Sequence, residues 1–415
     1  MREMNSLQSI LLALTSVLFV ANLAQSFFYL PTADAREGGE HMSHGVYYAC
    51  LCGFFAAMVF ALLAPSLPLM WVAVELTTLV SAPLIAYHRG TGSLEAMWKY
   101  LLICSIGIGL ALFGTMLVMH AQSTGNAMWF KAGFVFVLAG YGTKTGLAPF
   151  HTWLPDAHSE APAPVSALLS GALLNCSFFA ITRFRAVMPA EVAPFCDNVL
   201  IALGVLSVAF AAIFMVRQTD YKRLLAYSSI EHMGLIVVLF ALVMKLLPPP
   251  TDGMLRLDLA DHSPAGILTL ALFCHIVCHS LTKTLLFQTA GNLLLAFGTR
   301  AITAVQGLGV SLKGHALLWI VGIVFICGMP PSALFLSELG LVLQAPIWMA
   351  ALVLALLFIV FAAMTKVALS MTMGKPRACP VPVPRTLLIV PSLLFVLLVV
   401  GGLALSLLTV LSFAK

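Results

Sequence analysis

YGTKTGLAPFHTWLPDAHSEAPAP, residues 141–164, decides how this chain is read. The apolar run from Phe134 to Gly140 leads into it, so Lys144 is carried inside a hydrophobic span. Glycines at 140, 142 and 146 and prolines at 149, 155, 162 and 164 then punctuate the chain. A charged amine at bilayer depth costs about 2.5–3.5 kcal/mol on insertion scales and is seldom left without a partner or water. Irregular backbone at that depth is tolerated only where it is buried in protein or lines a cavity. The stretch therefore predicts a helix that breaks within the membrane and a loop holding Asp156, His158 and Glu160. A new apolar helix begins behind that loop, and Lys144 sits in a polar pathway that handles protons.

Composition agrees. Of 415 residues, 61% are hydrophobic and only 9% charged, which excludes an ordinary soluble domain. Repeated apolar runs of about 20 residues predict an all-α polytopic membrane protein. Its nine cysteines fall mostly inside apolar runs, and Cys50/Cys52 and Cys274/Cys278 lack the paired CxxC spacing of a zinc or iron–sulfur site, so they read as packing residues. GxGxxG is absent, Gly107 and Gly109 lying inside a helix pattern. The chain is expected to hold no cofactor of its own, and any redox group would belong to another subunit.

Hydropathy and breakers predict about twelve spans: 7–30, 45–64, 66–87, 97–119, 128–147, 162–187, 195–217, 224–246, 264–295, 314–337, 341–372 and 386–412. The longest polar linker, 247–264, reads as a surface loop. Alternating the loops puts Arg36, Arg89, Lys99, Arg217, Lys222, Arg223, Arg300, Lys313, Lys375, Arg377 and Arg385 on one face. Arg2, Lys131, Arg183, Arg185, Lys245, Arg256 and Lys415 fall on the other. The richer face is then cytoplasmic and both termini are exterior, in a cell's inner membrane.

The basic residues left over, Lys144, Lys283 and Lys366, lie within spans, as do the acids Glu75, Glu231 and Glu338. Ionisable groups inside a membrane default to an ion or proton path. Their placement suggests an internal repeat. A first unit, 45–187, carries Glu75 in its second helix and Lys144 in its fourth. A second, 195–372, carries Glu231 and Glu338 in the matching places. Five helices per unit is an odd number, so the units enter the membrane from opposite sides, the inverted-repeat logic of transporters. Residues 1–44 form an N-terminal helix and loop, and 386–415 a last helix.

Glu75, near the middle of its span, needs a cation to stay charged in low dielectric, and Lys144 is the obvious partner. Such a pair switches when one proton or one helix moves; the plainer reading is a static ion pair. His275, His279 and Lys283 are spaced i, i+4, i+8 and share one helix face. Histidine takes a proton on one ring nitrogen and releases it from the other, so this stripe reads as a relay. Histidines bonded to backbone carbonyls are the plain alternative, and no acid accompanies them as in a HExxH metal site. Glu231 and His232 lie two turns deeper than Asp220, Lys222 and Arg223, which read as interfacial anchors. Glu338 follows a second Gly- and Pro-broken stretch, Gly328 to Ser337, and reads as the last titratable group before the exit. Lys366 either joins the line or snorkels to the interface. The expected pathway is Glu75, Lys144, His158, Glu160, Glu231, His232, His275, His279, Lys283, Glu338 and Lys366.

Lys144–Pro164, Asp220–Gly234, His279–Gly291 and Gly328–Glu338 resemble the antiporter-like proton-channel subunits. These are the large membrane-arm subunits of complex I, the Mrp-type cation/proton antiporters and the membrane subunits of group 4 nickel–iron hydrogenases. Trp71–Thr78, Trp98-Lys99-Tyr100, Gly142–Leu147 and Trp153–Pro162 are worded like the hydrogenase-4 and formate hydrogenlyase branch. The resemblance implies a fourteen-helix fold with two inverted five-helix repeats and two broken helices. It also implies a Glu–Lys pair (Glu75, Lys144), a central lysine (Lys283) and a terminal acid or lysine (Glu338). Two departures stand out. Two spans precede Glu75 where the family has four, and Asn175 occupies the place where some members carry a lysine. The implied function is a proton-translocating, non-redox subunit of a respiratory oxidoreductase, driven by electron transfer in hydrogenase large and small and ferredoxin-like partner subunits. The alternative is a Mrp-like Na+/H+ antiporter or proton-coupled solute uptake system without a redox partner.

Overall fold

The computed structural model describes residues 6–38, 40–246, 261, 263–376 and 380–413. The linker expected over 247–264 lies largely outside them, as do Arg2, Arg256, Arg377, Cys379 and Lys415. Helices account for nearly all of it: α1 (Ser6–Glu37), α2 (His44–Leu63), α3 (Leu67–Ile85), α4 (Thr91–Thr124), α5 (Ala127–Thr145), α6 (Trp153–Glu160), α7 (Ala163–Leu168), α8 (Leu174–Ala186), α9 (Ala193–Met215), α10 (Tyr221–Leu246), α11 (Pro264–Phe297), α12 (Leu308–Ser311), α13 (Lys313–Ile326), α14 (Ala333–Gln344), α15 (Ile347–Thr372) and α16 (Ile389–Phe413). Among the described residues, ten helical segments are long and apolar enough to cross a membrane, α7 and α8 counting together as one. The other two expected crossings are α5, diluted by Lys131 and Lys144, and the short helices α13 and α14 in series.

Local signals set the helix ends. Ser66, Asn126, Ser263 and Ser332 each accept an N–H of the first turn that follows, and prolines sit in the first turn behind Ser66 and Ser263. Two sequence-based boundaries change. The expected loop 148–161 contains α6, because Pro155 stands in a first turn where a missing N–H costs nothing; the helix ends just before Pro162. The expected break within Gly328–Ser337 falls at 327–332, whereas the linker expected at 338–340 lies instead at 345–346, so Glu338 stands inside α14.

Both mid-chain breaks have the same main-chain form. Gly146 and Gly328 are left-handed (φ 82° and 60°), a conformation that costs glycine little. The next amide reaches back five residues, Leu147 N–H to Gly142 and Met329 N–H to Val324. A proline follows the glycine at the third position in each, Pro149 and Pro331.

Small residues let helices close up: a Cβ on Gly140 of α5 would lie 2.5 Å from Ala111 of α4. The long α11 is the hub, packed by α1, α7, α10, α13, α14 and α16. Amides glue α1 to it, Gln288 donating to Asn22 at 3.0 Å and Gln25 to Asn292 at 3.3 Å.

Candidate functional site

In the first half, Lys144 at the end of α5 is fully buried. Its ammonium donates to Thr78 Oγ1 and to the Tyr100 hydroxyl, both at 2.7 Å, and lies 4.7 Å from the centroid of the Tyr100 ring. Thr78 donates onward to Glu75 Oε2 at 3.3 Å, and Ser105 donates to Glu75 Oε1 at 3.0 Å. The expected Glu75–Lys144 pair is therefore joined through a hydroxyl rather than by contact. Glu75 is only half-buried, on α3. The Tyr100 hydroxyl shares a 2.7 Å bond with Ser81, which places α3, α4 and α5 around one ammonium.

Between the halves, His158 on α6 is fully buried with its ring 4.7 Å from Phe287 of α11, and neither ring nitrogen has a protein partner. The chain from α7 to α8 passes through a π-helical turn, Leu169–Leu173. Such bulges re-aim the side chains beyond them. Asn175, just after it, donates to Gly171 O and to Ser280 Oγ of α11, both at 2.8 Å.

In the second half, Lys283 is buried in α11 and donates to the Leu225 carbonyl at 2.8 Å and to the Ser228 hydroxyl of α10. One turn away on the same face, His279 has no protein partner at either nitrogen, and its ring lies 5.2 Å from that of His232. His232 and His275 share a 3.0 Å bond between Nδ1 and Nε2. His232 Nε2 meets the Ile326 carbonyl at 2.9 Å, and His275 Nδ1 meets Ser337 Oγ at 2.8 Å. Glu231 and Glu338 each keep one buried carboxyl oxygen without a protein partner. Gly328 is so close to Glu338 that an added Cβ would fall 2.3 Å from its Oε2.

Three expectations change. Lys366 is exposed on the outer side of α15, because its position in the helix turns it away from the buried Ala363, Met364 and Val367. It does not join the line. Glu160 ends α6 at a polar cleft of about 510 Å3 and pairs with Arg300 at 2.7 Å, at the mouth and not in the interior. Lys222 is no interfacial anchor. It is buried and donates to the carbonyls of Ser159 (2.9 Å) and Ala161 (2.7 Å), which the end of α6 leaves open. Asp220 caps α10 by accepting the amides of Lys222 and Arg223. Burial works against the charge of Arg300, yet Glu160 and Asp220 hold its ionisation above the ordinary value. Asp156 joins the same end, bound by Lys99 (3.1 Å) and Arg223 (2.6 Å).

Sequence reading missed the hydroxyls of Thr78, Tyr100, Ser105, Ser228 and Ser337. A single Ser or Thr in an apolar helix often bonds its own preceding turn and gives no signal of a distant partner. Tyr100, Thr78, Ser228 and Ser337 lay within the family-like segments Trp98-Lys99-Tyr100, Trp71–Thr78, Asp220–Gly234 and Gly328–Glu338, and Ser105 lay in none.

A fold with ten long apolar spans among its described residues, and lysines, histidines and a glutamate buried among them, is the anatomy of an ion-translocating membrane protein. The chain belongs to the NADH:quinone oxidoreductase/Mrp antiporter transmembrane family, whose pattern matches residues 64–246 and 265–365. It is 36% identical to a hydrogenase-4 component F homolog of Methylacidiphilum infernorum over 82% of this chain and 71% of that protein. It is 28% identical to hydrogenase-4 component B of Escherichia coli over 81% of this chain, spanning 49% of that longer protein. Among solved structures, a chain of respiratory complex I from Thermus thermophilus superposes with a TM-score of 0.76 at 22% identity, covering 98% of this chain and 86% of its own.

Proposed function

We propose that this protein is the proton-translocating, non-redox membrane subunit of a multi-subunit respiratory oxidoreductase of the hydrogenase-4 or formate hydrogenlyase kind. Protons would move along Glu75, Lys144, His158, Lys283, His279, His232, His275 and Glu338. Electron transfer in nickel–iron and ferredoxin-like partner subunits would supply the energy. The observation that carries this reading is the run of titratable side chains that are buried on α5, α6, α10 and α11 and half-buried on α3 and α14. Several of them, His158, Glu231, His279 and Glu338, have buried polar atoms without a partner in this chain. Lipid-facing helices have cheaper ways to pack, so a line of this cost is kept for transport.

Charge placement supports a cytoplasmic-membrane location with both termini outside. Lys99, Asp156, Arg223 and Arg300 gather at one end, and Lys131, Arg185, Asp197 and Lys245 at the other. The richer end is the cytoplasmic one.

Membership of a family that also takes in Mrp antiporters favours one second reading, an Na+/H+ exchanger with no redox partner. Purification of the native assembly through a tag on this chain separates the two. Recovery of a nickel–iron subunit with iron–sulfur partners supports the first reading; recovery of membrane subunits alone replaces it with the second.

A further inference from the structure

The proton pattern of the central histidines is set by one backbone carbonyl. Ile326 ends α13, and the residue four further on, which would ordinarily offer its N–H to that carbonyl, is Pro330, which has none. His232 Nε2 fills the gap at 2.9 Å. A carbonyl only accepts, so Nε2 must carry the proton. With His232 neutral, its Nδ1 is then a lone pair, and His275 donates to it from Nε2 across 3.0 Å. His275 Nδ1 is left as a lone pair in turn, and in this state the Ser337 hydroxyl, 2.8 Å away, donates to it in place of the Leu334 carbonyl that it otherwise serves.

One added proton reverses the chain without leaving a group unpaired. The Ser337 hydroxyl passes its proton to His275 Nδ1 and takes on Oγ the incoming one, delivered by water; His275 gives the proton on Nε2 to His232 Nδ1, making His232 an imidazolium that donates from both nitrogens. His275 Nδ1–H now donates to Ser337 Oγ. The Ser337 hydroxyl turns to the Leu334 carbonyl, which lies 2.7 Å away and keeps its helical partner as well. Four protons stand on the three side chains where there were three, and no bond between heavy atoms changes.

We propose that Ser337 is a positioning residue of the proton path: its hydroxyl holds His275 ready to accept at Nδ1 and release at Nε2, with Pro330 and Ile326 presetting the direction. His279 and Lys283 on α11 act on His232; Lys283 in turn faces Glu231 on α10 and Cys327 after α13, and Glu338 on α14 neighbours Glu231 and Cys327. His279, whose ring lies 5.2 Å from His232, is the onward acceptor, reached when the His232 ring leaves the Ile326 carbonyl.

This rests on the transport reading above, and the test separates the two. Thr and Val have nearly the same shape but only Thr keeps the hydroxyl. In vesicles holding the whole assembly, Ser337→Thr should retain at least half of the proton translocation per electron transferred, while Ser337→Val should lose about tenfold. Equal behaviour of the two variants overturns the proposal. If Lys144→Ala stops translocation while Ser337→Val does not, the path stands and only the relay falls; if Lys144→Ala also has no effect, the transport reading itself falls. Nitrogen-15 spectra of histidine-labelled wild-type assembly give a check that needs no variant. His275 protonated at Nε2 in the resting protein is expected, and His275 protonated at Nδ1 with His232 neutral would refute the arrangement.

Discussion

Glu75 and Lys144 are linked through the hydroxyl of Thr78, which accepts from the lysine at 2.7 Å and donates to the carboxylate at 3.3 Å. Direct contact would make a static ion pair of them. An intervening hydroxyl keeps the two charges in communication while leaving each free to change its proton.

Removing that hydroxyl should uncouple them. Thr78→Val is expected to lower proton translocation about tenfold, in keeping with loss of a hydrogen bond to a charged group of about 1.5–3 kcal/mol. Thr78→Ser should remain near wild type. Translocation by the reconstituted assembly measures both, and a fully active Thr78→Val would show that the hydroxyl only packs.

Neutralising either charge should act more strongly. Lys144→Ala and Glu75→Gln are each expected to cut coupled proton movement sharply, with the assembly still isolated intact. Unchanged pumping in both variants would remove the paired switch from the mechanism.

Gly328 is constrained twice, by its φ of 60° and by the Glu338 carboxylate against it. A left-handed alanine alone costs about 1–2 kcal/mol. Gly125 has a similar φ of 68° but open space around it. Gly328→Ala should therefore lower both the thermal midpoint and translocation, whereas Gly125→Ala should lower only the midpoint. Matching losses of translocation in the two would mean that displacing Glu338 has no consequence.

Lys366→Ala should change little, since an exposed side chain without partners contributes within about 0.5 kcal/mol. Stability and translocation within experimental error of wild type are expected. Loss of pumping would place the exit on the outer side of α15.

Sequence alone determined the membrane class, the series of apolar helices and several of the buried charges, Lys144, Glu231 and Lys283 among them. Long apolar runs and the high cost of an ion in lipid are properties of composition and spacing. The breaks at Gly146 and Gly328 were likewise legible, because glycine and proline act through the local backbone. What only the tertiary structure decided was who meets whom. Thr78 on Lys144, Ser337 behind His275 and the Ile326 carbonyl on His232 join residues 66, 62 and 94 positions apart. A hydroxyl or carbonyl carries no mark in the sequence of the distant group it will serve. Lys222 and Lys366 make the same point in opposite senses. Both are lysines near helix ends, yet the first is buried on carbonyls freed by α6 and the second faces outward. Packing of neighbouring helices, not the residue type, made the difference.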